Sequence, residues 1–354
     1  VYRIGRESAK AIQKAREQVA QLFNASPEQI VFTSGGSEGN NMVFSYGMKC
    51  MLEKAGKKHV VISQIEHDSV YEAATHMFAP IGKVNIKDDF YTHFIHTKQD
   101  GTIDVKHLEE LLNTDESIGL VSVMYVNNET GAVNPINHIG EMCKECGILF
   151  HTDCVQAAGC HAIDTNLIGC DYATISGHKI YAPKGIGALY VKKGIHIPPF
   201  MLGGGQEKGF RSGTESVPLI CGFGAAVKKL APNVSANFEK AADIQAYLIE
   251  KCNENGDVFV NSRKGGSPYV TSIAVNGLKS EVLLHYLEKR EIYVSSGSAC
   301  SKGKKSSVLK EFRYPEQSLD STIRISFSID TTKADIDALM EGIKSAQNDL
   351  CKVR

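Results

Sequence analysis

Lys179 stands in the stretch Ser176-Gly177-His178-Lys179-Ile180-Tyr181-Ala182-Pro183-Lys184-Gly185, just after the β-branched and aromatic run 172–175. That run reads as a strand feeding a short polar turn, in which Gly177 is expected to adopt a backbone angle other residues avoid. A lysine amine attacks carbonyl carbon only when unprotonated. At the ordinary pKa of about 10.4, fewer than roughly one in a thousand are unprotonated at pH 7, so chemistry at Lys179 requires burial or a partner that tunes it. Taken alone, a lysine after a strand is an ordinary surface residue. The reading depends on what else the chain brings to the same place.

Asp153, in His151-Thr152-Asp153-Cys154-Val155-Gln156, is a candidate partner. It follows an apolar stretch and precedes Lys179 by room for one helix and one strand, so a parallel sheet can bring both to one edge. Pyridoxal phosphate uses such a pair. Its aldehyde forms an imine with a lysine, and a carboxylate keeps its pyridine nitrogen protonated, so that the ring accepts electrons when a bond at a substrate Cα breaks. An aspartate after a strand also serves as a helix cap, and the residue alone does not choose between the two.

The elements that would position these residues alternate along the first two-thirds of the chain. An amphipathic helix over 8–23 puts Ile12, Ala15, Val19 and Phe23 on one face. Strands are expected at 30–33, 59–63, 119–126, 148–151 and 186–191, and helices near 70–78, 135–146 and 215–230. Polar clusters sit just past the strand ends: 34–41 (SGGSEGNN), 66–69 (EHDS) and 127–131 (NNETG). In open parallel sheets ligands bind at that edge. The Gly/Ser turn at 34–37 can also present N–H groups to an anion at a helix start, although it matches neither the P-loop nor the G-x-G-x-x-G spacing. The glycine-rich tract 203–214 reads as a flexible loop whose Arg211, Ser212 and Thr214 suit an oxyanion. Composition shifts near Ala231-Pro232-Asn233, giving an expected large domain 1–232 and a smaller α+β domain 233–354. The latter holds a long helix, strands near 258–261, 270–275 and 322–328, and a helix capped by Ser280.

The 354 residues carry a net charge of −1 with both signs interspersed, so no nucleic-acid groove is indicated. No apolar run reaches the length of a membrane span, and the first residues lack the apolar core of a signal peptide. Ten scattered cysteines suggest reduced thiols, and we expect a cytoplasmic protein. Cys143-x-x-Cys146 is the one close pair. It falls at the helical spacing of Ile136 and Ile139 with no second pair to complete four ligands, so core packing is the expected role and no metal site is assigned.

Together these pieces resemble the NifS/IscS-type cysteine desulfurases, pyridoxal phosphate enzymes of the class-V aminotransferase group. The resemblance covers nearly the whole chain in order: TSGGSEGNN, EHDSV, YVNNETG, HTDCVQAAG, SGHKIYAPKGIGALYV, GGGQEKGFRSGTES, SSGSAC and TIRISFS. It implies an α/β protein of the type I pyridoxal phosphate transferase fold. Members of that group carry a further segment ahead of the point where this sequence begins.

The resemblance further implies that Lys179 carries the cofactor, Asp153 meets the pyridine nitrogen, Gln156 the ring hydroxyl, and His67 stacks on the ring and moves protons. Gly36, Ser37, Ser176 and His178 would hold the phosphate, with Thr214 reaching the site of the other subunit of a homodimer. Asn128 and Arg324 would bind the substrate L-cysteine, the arginine by a two-pronged grip on its carboxylate. Cys300, between Gly297 and Gly303 in a polar loop, would accept the sulfur as a persulfide and hand it to an acceptor protein, leaving alanine. Selenocysteine lyase or another class-V aminotransferase activity on the same scaffold is the alternative.

Overall fold

The computed structural model describes residues 2–78, 90–296, 307–311 and 319–350. The chain divides into two compact units, the first made of Val1–His96, Ile103–Val126 and Asn134–Val234, the second of Thr97–Thr102, Asn127–Val133 and Ser235–Arg354.

The first unit is built on seven strands, β1 (Ile30–Thr33), β2 (His59–Ser63), β3 (Tyr91–Ile95), β4 (Ile118–Ser122), β5 (Leu149–Asp153), β6 (Tyr172–Ser176) and β7 (Gly187–Val191), ordered β1-β7-β6-β5-β4-β2-β3. β3, β2, β4, β5 and β6 pair in parallel, whereas β7 runs antiparallel to both β6 and β1. A strand covered on both faces needs no apolar/polar alternation, and every residue of β1, β4, β6 and β7 is buried. The helices are α1 (Arg3–Leu22), α2 (Gly36–Val43), α3 (Tyr46–Lys54), α4 (Asp68–Phe78), α5 (Val105–Thr114), α6 (Ile136–Glu145), the short α7 (Thr165–Ile168) and α8 (Val217–Leu230). Met42, Val43, Val70 and Ala74 of α2 and α4 pack with Val60, Ile62, Leu120, Tyr172 and Leu189 of the sheet. Cys143 of α6 joins the core as expected, but Cys146 is that helix's exposed C-cap.

In the second unit, helix α9 (Val234–Glu254), strands β8 (Val258–Val260) and β9 (Val270–Val275), helix α10 (Ser280–Glu288), strand β10 (Ser295–Ser296), helix α11 (Ser307–Glu311), strand β11 (Thr322–Ser326) and helix α12 (Lys333–Asp349) follow in turn. The sheet is antiparallel, ordered β10-β11-β9-β8. Ile244, Leu248, Leu283, Leu287, Ile323, Ile325, Leu339 and Ile343 form its core. Ser280 is the first helical residue and Lys279 occupies the cap position. The segment 127–133 belongs here because its backbone is used: Ser262 Oγ donates to the Thr130 carbonyl at 2.6 Å and Ser267 N–H to that of Gly131 at 2.7 Å. Gly131 has φ of 75°, and a Cβ there would lie 2.6 Å from the Val270 carbonyl oxygen. Glycine alone satisfies both conditions.

Candidate active site

The carboxyl-terminal ends of β1, β2, β5 and β6 lead directly into Gly36 and Ser37, His67, Gln156 and Lys179. These strands point the same way, so one sheet edge collects the residues that the sequence leaves far apart. Asp153 is the last residue of β5 and is not a helix cap. It is 5% exposed, and each carboxylate oxygen has a donor: Val155 N–H to Oδ1 and Asn40 Nδ2 to Oδ2, both at 2.8 Å. Burial raises its pKa, while those two hydrogen bonds and electrostatic interactions with His67 and Lys179 act in the other direction.

Asn40, fully buried on α2, also donates to Ser69 Oγ at 2.8 Å, and Ser69 Oγ lies 2.8 Å from His67 Nδ1. His67 Nδ1 accepts the Ser69 backbone N–H at 3.1 Å. A nitrogen that accepts a backbone N–H is unprotonated in the neutral ring, so the proton belongs on Nε2. Asn40 and Ser69 are not among the residues that the sequence singles out. The signal was there: Gly36, Asn40 and Val43 recur at helical spacing, which puts an amide on the inward face of α2.

The 3-10 turn Gly177–Ile180 carries the lysine. Gly177 does not take a left-handed angle, contrary to expectation. Its requirement is space, because a Cβ would come within 2.8 Å of Ile186 Cγ2. Tyr181, with φ of 63°, and Gly185, with φ of 84°, are the left-handed residues of the stretch. Ser176 Oγ lies 2.8 Å from His178 Nδ1. Partial burial lowers the His178 pKa, helped by the charges of Lys179 and Lys184. The start of α2 abuts this pair: a Cβ on Gly36 would sit 3.5 Å from Ser176 Cβ and 2.8 Å from Val155 Cγ2. The first N–H groups of a helix have no acceptor within it, so the α2 start, the Ser176 hydroxyl and the His178 ring make a donor set suited to a phosphate. A buried carboxylate lies beyond, under the influence of a lysine amine. The residues fit pyridoxal phosphate.

The Arg211 side chain is not without a partner. Its guanidinium is held by Glu38 of α2, Nε to Oε1 at 2.7 Å and Nη2 to Oε2 at 3.2 Å. Nor is the tract 203–214 loose. Glu207 is 7% exposed and takes two 2.7 Å hydrogen bonds from Arg16 of α1, with the Phe32 N–H of β1 at 2.9 Å. Thr214 is exposed. Asn128 and Arg324 belong to the second unit, where they meet: Arg324 Nη1 donates to the Asn128 carbonyl at 3.0 Å and Nη2 to Ser295 Oγ at 3.2 Å. Cys300 lies outside the described residues.

Residues 1–339 match the aminotransferase class-V family. A cysteine desulfurase of Nostoc sp. is 37% identical over 351 residues, spanning 96% of this chain and 83% of the relative. The chain belongs to the cysteine desulfurases of the class-V aminotransferase family. Among solved structures, it is similar to a NifS-like protein of Rickettsia africae, with a TM-score of 0.86 and 33% identity over 98% of this chain and 91% of that one. It is also similar to a protein named SspA, solved in complex with cysteine, with a TM-score of 0.78 and 31% identity over 92% and 89% of the two chains. The expected type I fold and family are thereby borne out. Among the described residues, no helix is long and apolar enough to cross a membrane.

Proposed function

We propose that this chain binds pyridoxal phosphate at the edge formed by α2, β5 and β6, and uses it to take sulfur from L-cysteine. The buried Asp153, held by Asn40 and Val155 at the end of β5 and interacting electrostatically with His67 and Lys179, is the observation that carries the reading. The similarity to a protein solved with cysteine adds the substrate. When bound, pyridoxal phosphate supplies an aldehyde for an amino group and an electron-poor ring that stabilises negative charge at the substrate Cα.

The chain's own residues then divide the work. Lys179 would hold the cofactor covalently, and its Nζ would carry the Cα proton. Asp153 holds positive charge on the ring nitrogen, and Gln156 is assigned to the ring hydroxyl. Gly36, Ser37, Ser176 and His178 bind the phosphate, and Thr214 is assigned to the site of a partner subunit in a homodimer. His67, with Nδ1 engaged by Ser69, offers Nε2 as the proton-carrying atom. Arg324 and Asn128 are assigned to the substrate carboxylate and its placement. The Cys300 thiolate attacks the substrate sulfur; an S–S bond forms, the C–S bond breaks, and its electron pair stays with the carbon fragment, which gains a proton and leaves as alanine. A free thiol near pKa 8.5 is already a few per cent thiolate at pH 7, so this needs no large tuning. An acceptor protein in the cytoplasm then takes the sulfur.

We expect Lys179→Ala to lose the visible absorbance band of lysine-linked cofactor and all alanine formation from cysteine. Retention of that band would refute the assignment of Lys179.

A further inference from the structure

At the edge of the large sheet away from the lysine, three side chains converge that play no part in the proposed chemistry. His59 opens β2, His93 lies in the edge strand β3, and Asp115 follows α5 just before β4. His59 Nδ1 lies 2.5 Å and His93 Nε2 2.8 Å from the same oxygen, Asp115 Oδ2, and the two nitrogens are 3.5 Å apart. Among the described residues this is the one group of three or more His, Cys, Asp or Glu whose ligand atoms all lie within 4.8 Å of one another.

We propose that His59, His93 and Asp115 form a binding site for a divalent transition metal of the zinc class. Tetrahedral zinc with bonds of about 2.0–2.1 Å to nitrogen places two ligand nitrogens about 3.4 Å apart, close to the 3.5 Å found. The carboxylate oxygen has to withdraw by less than 1 Å to make equal room, a small motion for a side chain. Its other oxygen is already fixed, since Asp115 Oδ1 accepts the Ser117 N–H at 2.9 Å, the kind of outer contact that orients metal-binding carboxylates. The frame is firm as well: the Lys58 and His59 N–H groups both donate to the Ser117 carbonyl, at 2.9 and 3.0 Å. The three side chains are 19–23% exposed, so an ion can enter and a fourth position stays open to water. Imidazole and carboxylate donors of this mix suit zinc or cobalt over magnesium or calcium. Sequence spacing hides the site, since its members come from two strands and the C-cap of a helix.

The test uses the cofactor-loaded full chain, freed of metal with a chelator and titrated with zinc chloride and, separately, cobalt chloride, alongside His93→Gln and Asp115→Asn. All three proteins keep the same thiols, so sites made only of cysteine cancel in the comparison. We expect wild type to bind one equivalent more than either variant, to show cobalt d–d absorbance that both lack, and to gain thermal stability with zinc where they do not. Asp115→Asn nearly preserves shape and guards against misfolding of the histidine variant. Equal stoichiometry in wild type and Asp115→Asn, or a zinc-induced rise in melting temperature that is the same in both, would overturn the site.

Discussion

Glu66, next to His67, is a carboxyl group with nowhere to put a charge. It is 4% exposed, its Oε1 accepts the Ser63 hydroxyl at 2.5 Å and the Met124 N–H at 2.8 Å, and its Oε2 is buried without a partner among the described residues. Burial pushes its pKa up to about 8, against the pull of those two hydrogen bonds and with some help from Asp153. An unfolded glutamate titrates near 4.3. Between these values the native chain holds a proton that the unfolded chain has lost, so Glu66 makes stability fall as pH rises through that window, by at most about 1.4 kcal/mol per pH unit. We expect Glu66→Gln, which mimics the neutral acid, to flatten this dependence in urea melts from about pH 5 to pH 8. An unchanged slope would show that Glu66 is ionised in the native protein. Asn40 permits a second test. Losing a hydrogen bond to a charged group costs about 1.5–3 kcal/mol, so Asn40→Ala should weaken cofactor binding about ten- to hundredfold by equilibrium titration. At this scale the sequence brings Lys179, Asp153 and His67 forward only as a set, since each alone is an ordinary residue of its type. It left out Asn40 and Ser69, whose value lies in connecting other side chains.

Among the elements, the glycine-rich tract 203–214 departs most from its sequence. Seen as composition it is a loop, since glycine at that density favours neither helix nor strand. In the structure the buried Arg16–Glu207 pair fixes it, and the Arg16 guanidinium also lies 4.6 Å over the Phe32 ring. Glu207 and Lys208 take left-handed angles, with φ of 47° and 58°, a strain of about 1–3 kcal/mol each that the pair and its neighbours must hold. Removing one member of a buried ion pair strands the other, so Glu207→Ala should destabilise the protein by about 3–5 kcal/mol in urea unfolding. A loss below about 1 kcal/mol would mean that solvent reaches Arg16. The pairing was not legible because its partners are 191 positions apart and no periodicity links them. Strands β2, β4, β5, β6 and β7 were legible, since continuous apolar runs bounded by polar turns are what a covered sheet requires.

Across the whole molecule, the order of elements follows from alternation of strand and helix, and polar clusters past strand ends mark the edge where the site lies. What alternation does not reveal is that 97–102 and 127–133 join the second unit, because their links there run through backbone groups such as the Thr130 and Gly131 carbonyls. The central claim concerns the reaction. It is tested most directly by incubating the cofactor-loaded chain with L-cysteine in the absence of reductant, counting alanine, and locating any added sulfur by peptide mass analysis in wild type and Cys300→Ala. The account requires alanine and a matching equivalent of persulfide on Cys300 in wild type, with cofactor retained but neither product formed in Cys300→Ala. Alanine without persulfide in wild type, or undiminished sulfur release from Cys300→Ala, would contradict it.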